Sequence, residues 1–154
     1  MKKIKFERGQ SLVELSVSLV LLLILLSGAV EFGIGFFQFV QLRDAAQEGA
    51  LYGSMNPSQC TTIQDRVKGA SSKPINLNGT GVTITTTIID SASSNSYSCG
   101  STSADSYDCE GNAVKVEITY QHQIFMPFMP AILGRSTLPL KASVTDTILS
   151  PFTC

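Results

Sequence analysis

Four cysteines, at positions 60, 99, 109 and 154, and a single histidine, His122, are the residues of this 154-residue chain best suited to covalent or metal chemistry. No Cys-x-x-Cys spacing occurs, and one imidazole is too few for an ordinary zinc site, so disulfides are the expected use of the thiols. Sequence alone leaves three pairings open. Cys99 with Cys109 is preferred because it closes a short ring, worth about 2.7 kcal/mol in the chain-entropy model. Cys60 with Cys154 is then the remainder. Asp105, Asp108, Glu110 and Asn112 bring together oxygen groups that calcium accepts, but without EF-hand spacing, and a solvated loop is the expected reading. Asn78-Gly79-Thr80 fits a glycosylation sequon, a pattern common by chance. His122 is expected at the surface, on the polar side of a strand's end. No phosphate loop, carboxylate pair or Ser-His-Asp grouping is present to support an enzyme, and no metal or cofactor is expected.

Two acids stand apart, because they flank an apolar run. From Leu15 to Val30 no ionisable residue appears, and eleven of the sixteen positions are Leu, Ile or Val. Glu14 lies just before this run and Glu31 just after it. Residues 12–30, rising about 1.5 Å each as a helix, nearly match a hydrocarbon core of roughly 30 Å. Lys2, Lys3, Lys5 and Arg8 precede the run with no comparable cluster behind it, which predicts a cytoplasmic N-terminus and an exported remainder. Glu31 then falls near the outer interface, where an acid costs little.

The leader itself carries a signal. Glu7-Arg8-Gly9-Gln10-Ser11-Leu12-Val13-Glu14-Leu15 ends a charged stretch at a glycine and places an acid five residues later, and it resembles a type IV prepilin leader. With Val30-Glu31-Phe32-Gly33, Ala45-Ala46-Gln47-Glu48-Gly49-Ala50 and Tyr52-Gly53 added, the first 53 residues resemble the TadE-like pseudopilin family of tight-adherence (Flp) pilus systems. Tyr120, Pro127, Pro130 and residues 138–142 match the family's C-terminal part more loosely. The resemblance implies cleavage by a prepilin peptidase between Gly9 and Gln10. It also implies partnership with other pilins and pseudopilins and with the pilus assembly machinery of a bacterial inner or plasma membrane, and a role in surface adhesion. Gln10 departs from the phenylalanine common at the first mature position, which bears on N-methylation of that terminus.

Independently of the family, cleavage at Gly9 frees an α-amino group on Gln10, four positions before Glu14 and on the same helical face. Glu14 can pair with that amine within the chain or with a neighbouring subunit's terminus, which would guide assembly. Alternatively it reaches headgroup depth without a role. Losing the leader changes the side-chain charge from -1 to -4. A conventional signal peptide cut after Ser27-Gly28-Ala29 is the competing reading and would leave a secreted or membrane-anchored binding module. The apolar run is longer than an ordinary signal core, which favours the pilin leader.

The elements that must position these residues follow from periodicity. Phe32, Phe36, Phe39 and Val40 continue a helical stripe, expected to be mostly core, and Pro57 stops the helix. Ala45, Gly49 and Gly53 repeat at four-residue spacing and predict close packing, first of all onto the chain's own domain. Residues 61–70 predict a short helix with Ile63 and Val67 inward. Strands are expected at residues 82–89, 113–124 and 137–149, separated by a Ser-rich loop over 91–112 and an apolar, proline-bounded connection over 126–130. The predicted fold is α+β and pilin-like, a long N-terminal helix packed on a small antiparallel sheet of about three strands. The chain divides into a leader (1–9), a membrane segment (10–31) and an exported domain (32–154). A net charge of -1 and only 15% charged residues argue against nucleic acid as a partner.

Overall fold

The computed structural model of the chain describes residues 8–71, 73–101, 104–126 and 129–149. Lys2, Lys3, Lys5 and Glu7 of the expected leader, together with Pro127 and Cys154, lie outside them. Helix α1 (Arg8–Met55) runs 48 residues without a break. No proline interrupts it, and the Asn56 N–H caps its end by donating to Tyr52 O at 3.0 Å just before Pro57. A short helix, α2 (Cys60–Ala70), turns back along its outer end and buries Ile63 and Val67.

Four strands form one antiparallel sheet in the order β2-β1-β3-β4. They are β1 (Val82–Ile89), β2 (Ser96–Ser98), β3 (Ala113–Gln123) and β4 (Thr137–Thr147). The β-branched residues of β1 and the alternation in β3 and β4 explain the three longer strands. Their register sets Ile84 opposite Ile118 and Ile118 opposite Ala142, so apolar side chains line up across one face. That face lies on the outer half of α1. Leu42, Ala46, Ile63, Val67, Val116 and Ile118 make the main core, each fully buried.

The sheet has one strand more than the sequence predicts. β2 lies inside the segment expected to be loop, where Ser and Asn dominate. Only Tyr97 has a strand-forming side chain there, and it is held by stacking on Tyr107 at 4.5 Å between ring centroids. Both rings cover a second small core of Ile88, Ala104, Val114 and Ile148. The loop is also tied by Asn112, nearly fully buried, whose carboxamide accepts from Ser91 N–H and donates to Tyr107 O. The apolar connection after β3 contains a helical turn, α3 (Met129–Leu133). The sheet's open face carries a charged ladder in which Glu117 bridges Lys141 at 2.7 Å and Lys115 at 3.0 Å.

Candidate functional site

Gly9 and Gln10 sit on the first turns of α1, and nothing else in the chain approaches within 4 Å of a side chain placed at Gly9. Glu14, one helical turn beyond Gln10 and about 6 Å further along the axis, is exposed on the same face. Every residue from Gln10 to Leu26 is likewise exposed. The large apolar ones range from 53% at Leu19 to 69% at Leu12. The helix is long and apolar enough to cross a membrane.

The outer half of α1 is built differently. Ala45 and Ala50 are buried against the domain, and Gly49 and Gly53 leave room for its side chains. A Cβ at Gly49 would collide with Val67 Cγ2, and one at Gly53 would stand 3.1 Å from both Ile63 and Val114. The small-residue repeat therefore docks α1 onto α2 and β3 within the chain. The phenylalanine stripe does not join this core. Phe32 is 75% exposed and Phe36 59%, because the buried face of α1 begins only at Gln38 and continues through Leu42. This corrects the expectation that the stripe is mostly core.

The cysteine pairing also differs from the preferred one. Cys60 bonds to Cys99, with Cα atoms 5.7 Å apart, so Cys99 is not joined to Cys109, which is itself disulfide-bonded. Ring size favours the nearer cysteine, but tertiary packing decides. β2 pairs alongside β1 and delivers Cys99 to the start of α2, where its Sγ also lies 3.5 Å from Pro57 O. The bridge fixes the edge strand to the turn that ends α1.

Between the two halves of α1 lies a contact that the sequence reading misplaced. His122 is nearly fully buried, and its Nε2 meets Glu31 Oε1 at 2.9 Å. The same oxygen accepts from Phe125 N–H at 3.2 Å. Thus Glu31 is not a free edge residue and His122 is not a surface one. The alternation in β3 already contained the signal, since Val114, Val116, Ile118 and Tyr120 all point one way and His122 continues that set. The His122 ring meets Phe125 edge-on at 6.3 Å, and its Nδ1 is buried with no partner among the described residues.

This pair forms the polar wall of an apolar cleft of about 420 Å³ between α1 and the β3–β4 end of the sheet. Phe32, Phe36, Met126, Met129 and Leu138 are among the apolar residues that line the rest. Among the described residues, no group of three His, Cys, Asp or Glu side chains is placed to hold a metal ion.

The model of the TadE-like protein family matches residues 9–51. The amino-terminal helix is thus similar to that of the TadE-like family. The matched stretch starts at the proposed leader junction and ends near the last turn of α1, so the TadE-like part is the helix and excludes α2 and the sheet. No curated protein and no solved structure matches the chain.

Proposed function

We propose that this chain is a membrane-anchored minor pilin or pseudopilin of a tight-adherence (Flp, type IV-like) pilus. On this reading a prepilin peptidase cuts after Gly9, residues 10–31 hold the mature chain in the bilayer, and the domain from residue 32 onward is exported. The observation that carries the reading is the junction itself. A basic leader ends at Gly9, an acid follows at Glu14, and both lie at the start of one unbroken helix whose large apolar side chains face outward. Exposed leucine over this length suits lipid and is unsuited to water.

Two roles follow for the helix. In the bilayer, Glu14 offers a carboxylate to the amine of Gln10, its own or that of a neighbouring pilin, where a charge needs a partner. On assembly, the exposed face exchanges lipid for the helices of other pilins in the filament. Continuity of α1 through Ala29, with Gly28 against Met126 and Glu31 on His122, supports retention of the helix over removal by an ordinary signal peptidase.

Replacing Gly9 with leucine tests this reading, because the peptidase must accommodate the residue before the cut. The variant should keep its leader, accumulate as the longer form in membranes, and fail to support filaments in sheared fractions. Normal maturation and normal piliation in Gly9→Leu would defeat the reading. Glu14→Ala should mature normally yet reduce filament output; unchanged output would remove Glu14 from assembly.

A further inference from the structure

The sequence from Ile124 to Gly134 contains no polar side chain, and Arg135 follows it directly. In the fold Met126 is buried while residues on either side of it stay exposed. Phe125 is 70% exposed and Leu133 48%, and Leu133 lines the cleft together with exposed Phe32 and Phe36 of α1. Apolar surfaces of this kind on exported domains need a cover.

Position along α1 indicates the cover. Met126 packs on Gly28, and Phe125 and Met126 share a second apolar hollow with Leu23, Leu26 and Val30. Gly28 and Val30 lie about 24 and 27 Å along the axis from Leu12, against a hydrocarbon core of roughly 30 Å. The connection is therefore level with the last turns of the apolar run and continuous with its exposed surface. The chemistry of the cleft agrees. Glu31 and His122 are its polar lining groups, and they hold each other, while the remaining lining is hydrocarbon that offers an occupant no hydrogen bond. Arg135, exposed where the apolar stretch ends, offers a cation of the kind that suits anionic lipid headgroups.

We propose that Phe125, seated beside the apolar run by its buried neighbour Met126, is a membrane foot. It inserts into the acyl chains of the leaflet on the exported side, and the cleft against Phe32 and Phe36 is filled by lipid chains. The Glu31–His122 pair clamps the foot to α1 and withdraws the Glu31 carboxylate from lipid, so an acid at the bilayer edge becomes the fastening point of the domain. This inference rests on the membrane-anchored reading above.

The chain contains no tryptophan, so single tryptophans report position without background. The full chain carrying Phe125→Trp, Leu22→Trp or Leu149→Trp is reconstituted in phosphatidylcholine–phosphatidylglycerol vesicles containing lipids brominated on their acyl chains. Leu22→Trp reports the middle of the apolar run, and Leu149→Trp reports an exposed site at the far end of α1. Phe125→Trp should be quenched about twofold or more, most strongly by bromines near the ester end, as for a ring within 5–10 Å of the acyl boundary. Leu22→Trp should be quenched most by deep bromines, and Leu149→Trp should not be quenched. Quenching at position 22 without quenching at 125 overturns the foot and leaves the anchor standing, whether water or a second copy covers that surface. No quenching at position 22 overturns the anchor and the foot with it.

Discussion

The two halves of α1 are both apolar, yet they belong to different environments. Residues 10–26 carry large Leu, Ile and Val side chains that are all more than half exposed. From residue 38 onward the inward face is Leu42 with Ala45, Ala46, Gly49, Ala50 and Gly53, small enough for α2 and β3 to approach the backbone closely. Side-chain size, rather than hydrophobicity, separates a helix solvated by its surroundings from one that forms a core. The match to the TadE-like family follows α1 across both halves and stops at residue 51, before α1 ends.

Perturbations should divide along the same line. The largest loss of stability is expected from Cys60→Ala with Cys99→Ala. Opening a loop of 39 residues in sequence separation costs about 4 kcal/mol in the chain-entropy model, read by urea unfolding in mild detergent. Gly49→Leu should cost about 3 kcal/mol, because stiff, buried Val67 cannot yield to the added side chain. If Gly49→Leu were harmless, the small-residue face would not be a docking face.

At the junction of the halves, His122→Ala should cost about 2 kcal/mol by leaving Glu31 without its main partner. Glu31→Gln should cost less than about 1 kcal/mol, since its carbonyl oxygen can still accept from His122 and Phe125. The ordering of these two variants is the readout. A larger loss for Glu31→Gln would mean that charge, not hydrogen bonding, holds the clamp.

Glu117 provides a smaller effect on the open face of the sheet. Hydrogen bonds from Lys141, and secondarily from Lys115, hold its carboxyl below the usual carboxylate range. The stability it contributes is therefore complete above its unfolded value of about 4.5 and is lost as pH falls through the folded one. Glu117→Gln should cost about 0.5 kcal/mol at neutral pH and make unfolding less sensitive to acid. At the other extreme, Leu22→Ala should leave the domain's unfolding unchanged within about 0.5 kcal/mol, as its side chain contacts no other element.

Most of the framework was legible in the chain. The apolar run, Pro57 and the alternation of Val114, Val116 and Ile118 place α1, the end of α1 and β3 almost to the residue. The interior surface of α1 was legible in the spacing of Ala45, Gly49 and Gly53. What escaped depended on tertiary partners. β2 has three residues and one strand-former, and it exists because Tyr97 finds Tyr107. The Cys60–Cys99 bond needs β2 in place before ring size can be judged. His122 shares its parity with Val114 and Val116, and it is this face, not the polarity of a residue at a strand's end, that decides its burial. The phenylalanine stripe has helical periodicity without a covering element, and periodicity alone does not say whether protein or lipid covers it.

The account stands on the helix surviving while its basic leader is removed. Intact-mass analysis of the chain recovered from membranes or sheared filaments measures this directly. A mature terminus at Gln10, with residues 12–30 still attached, is the predicted result. A terminus at Val30 would contradict it.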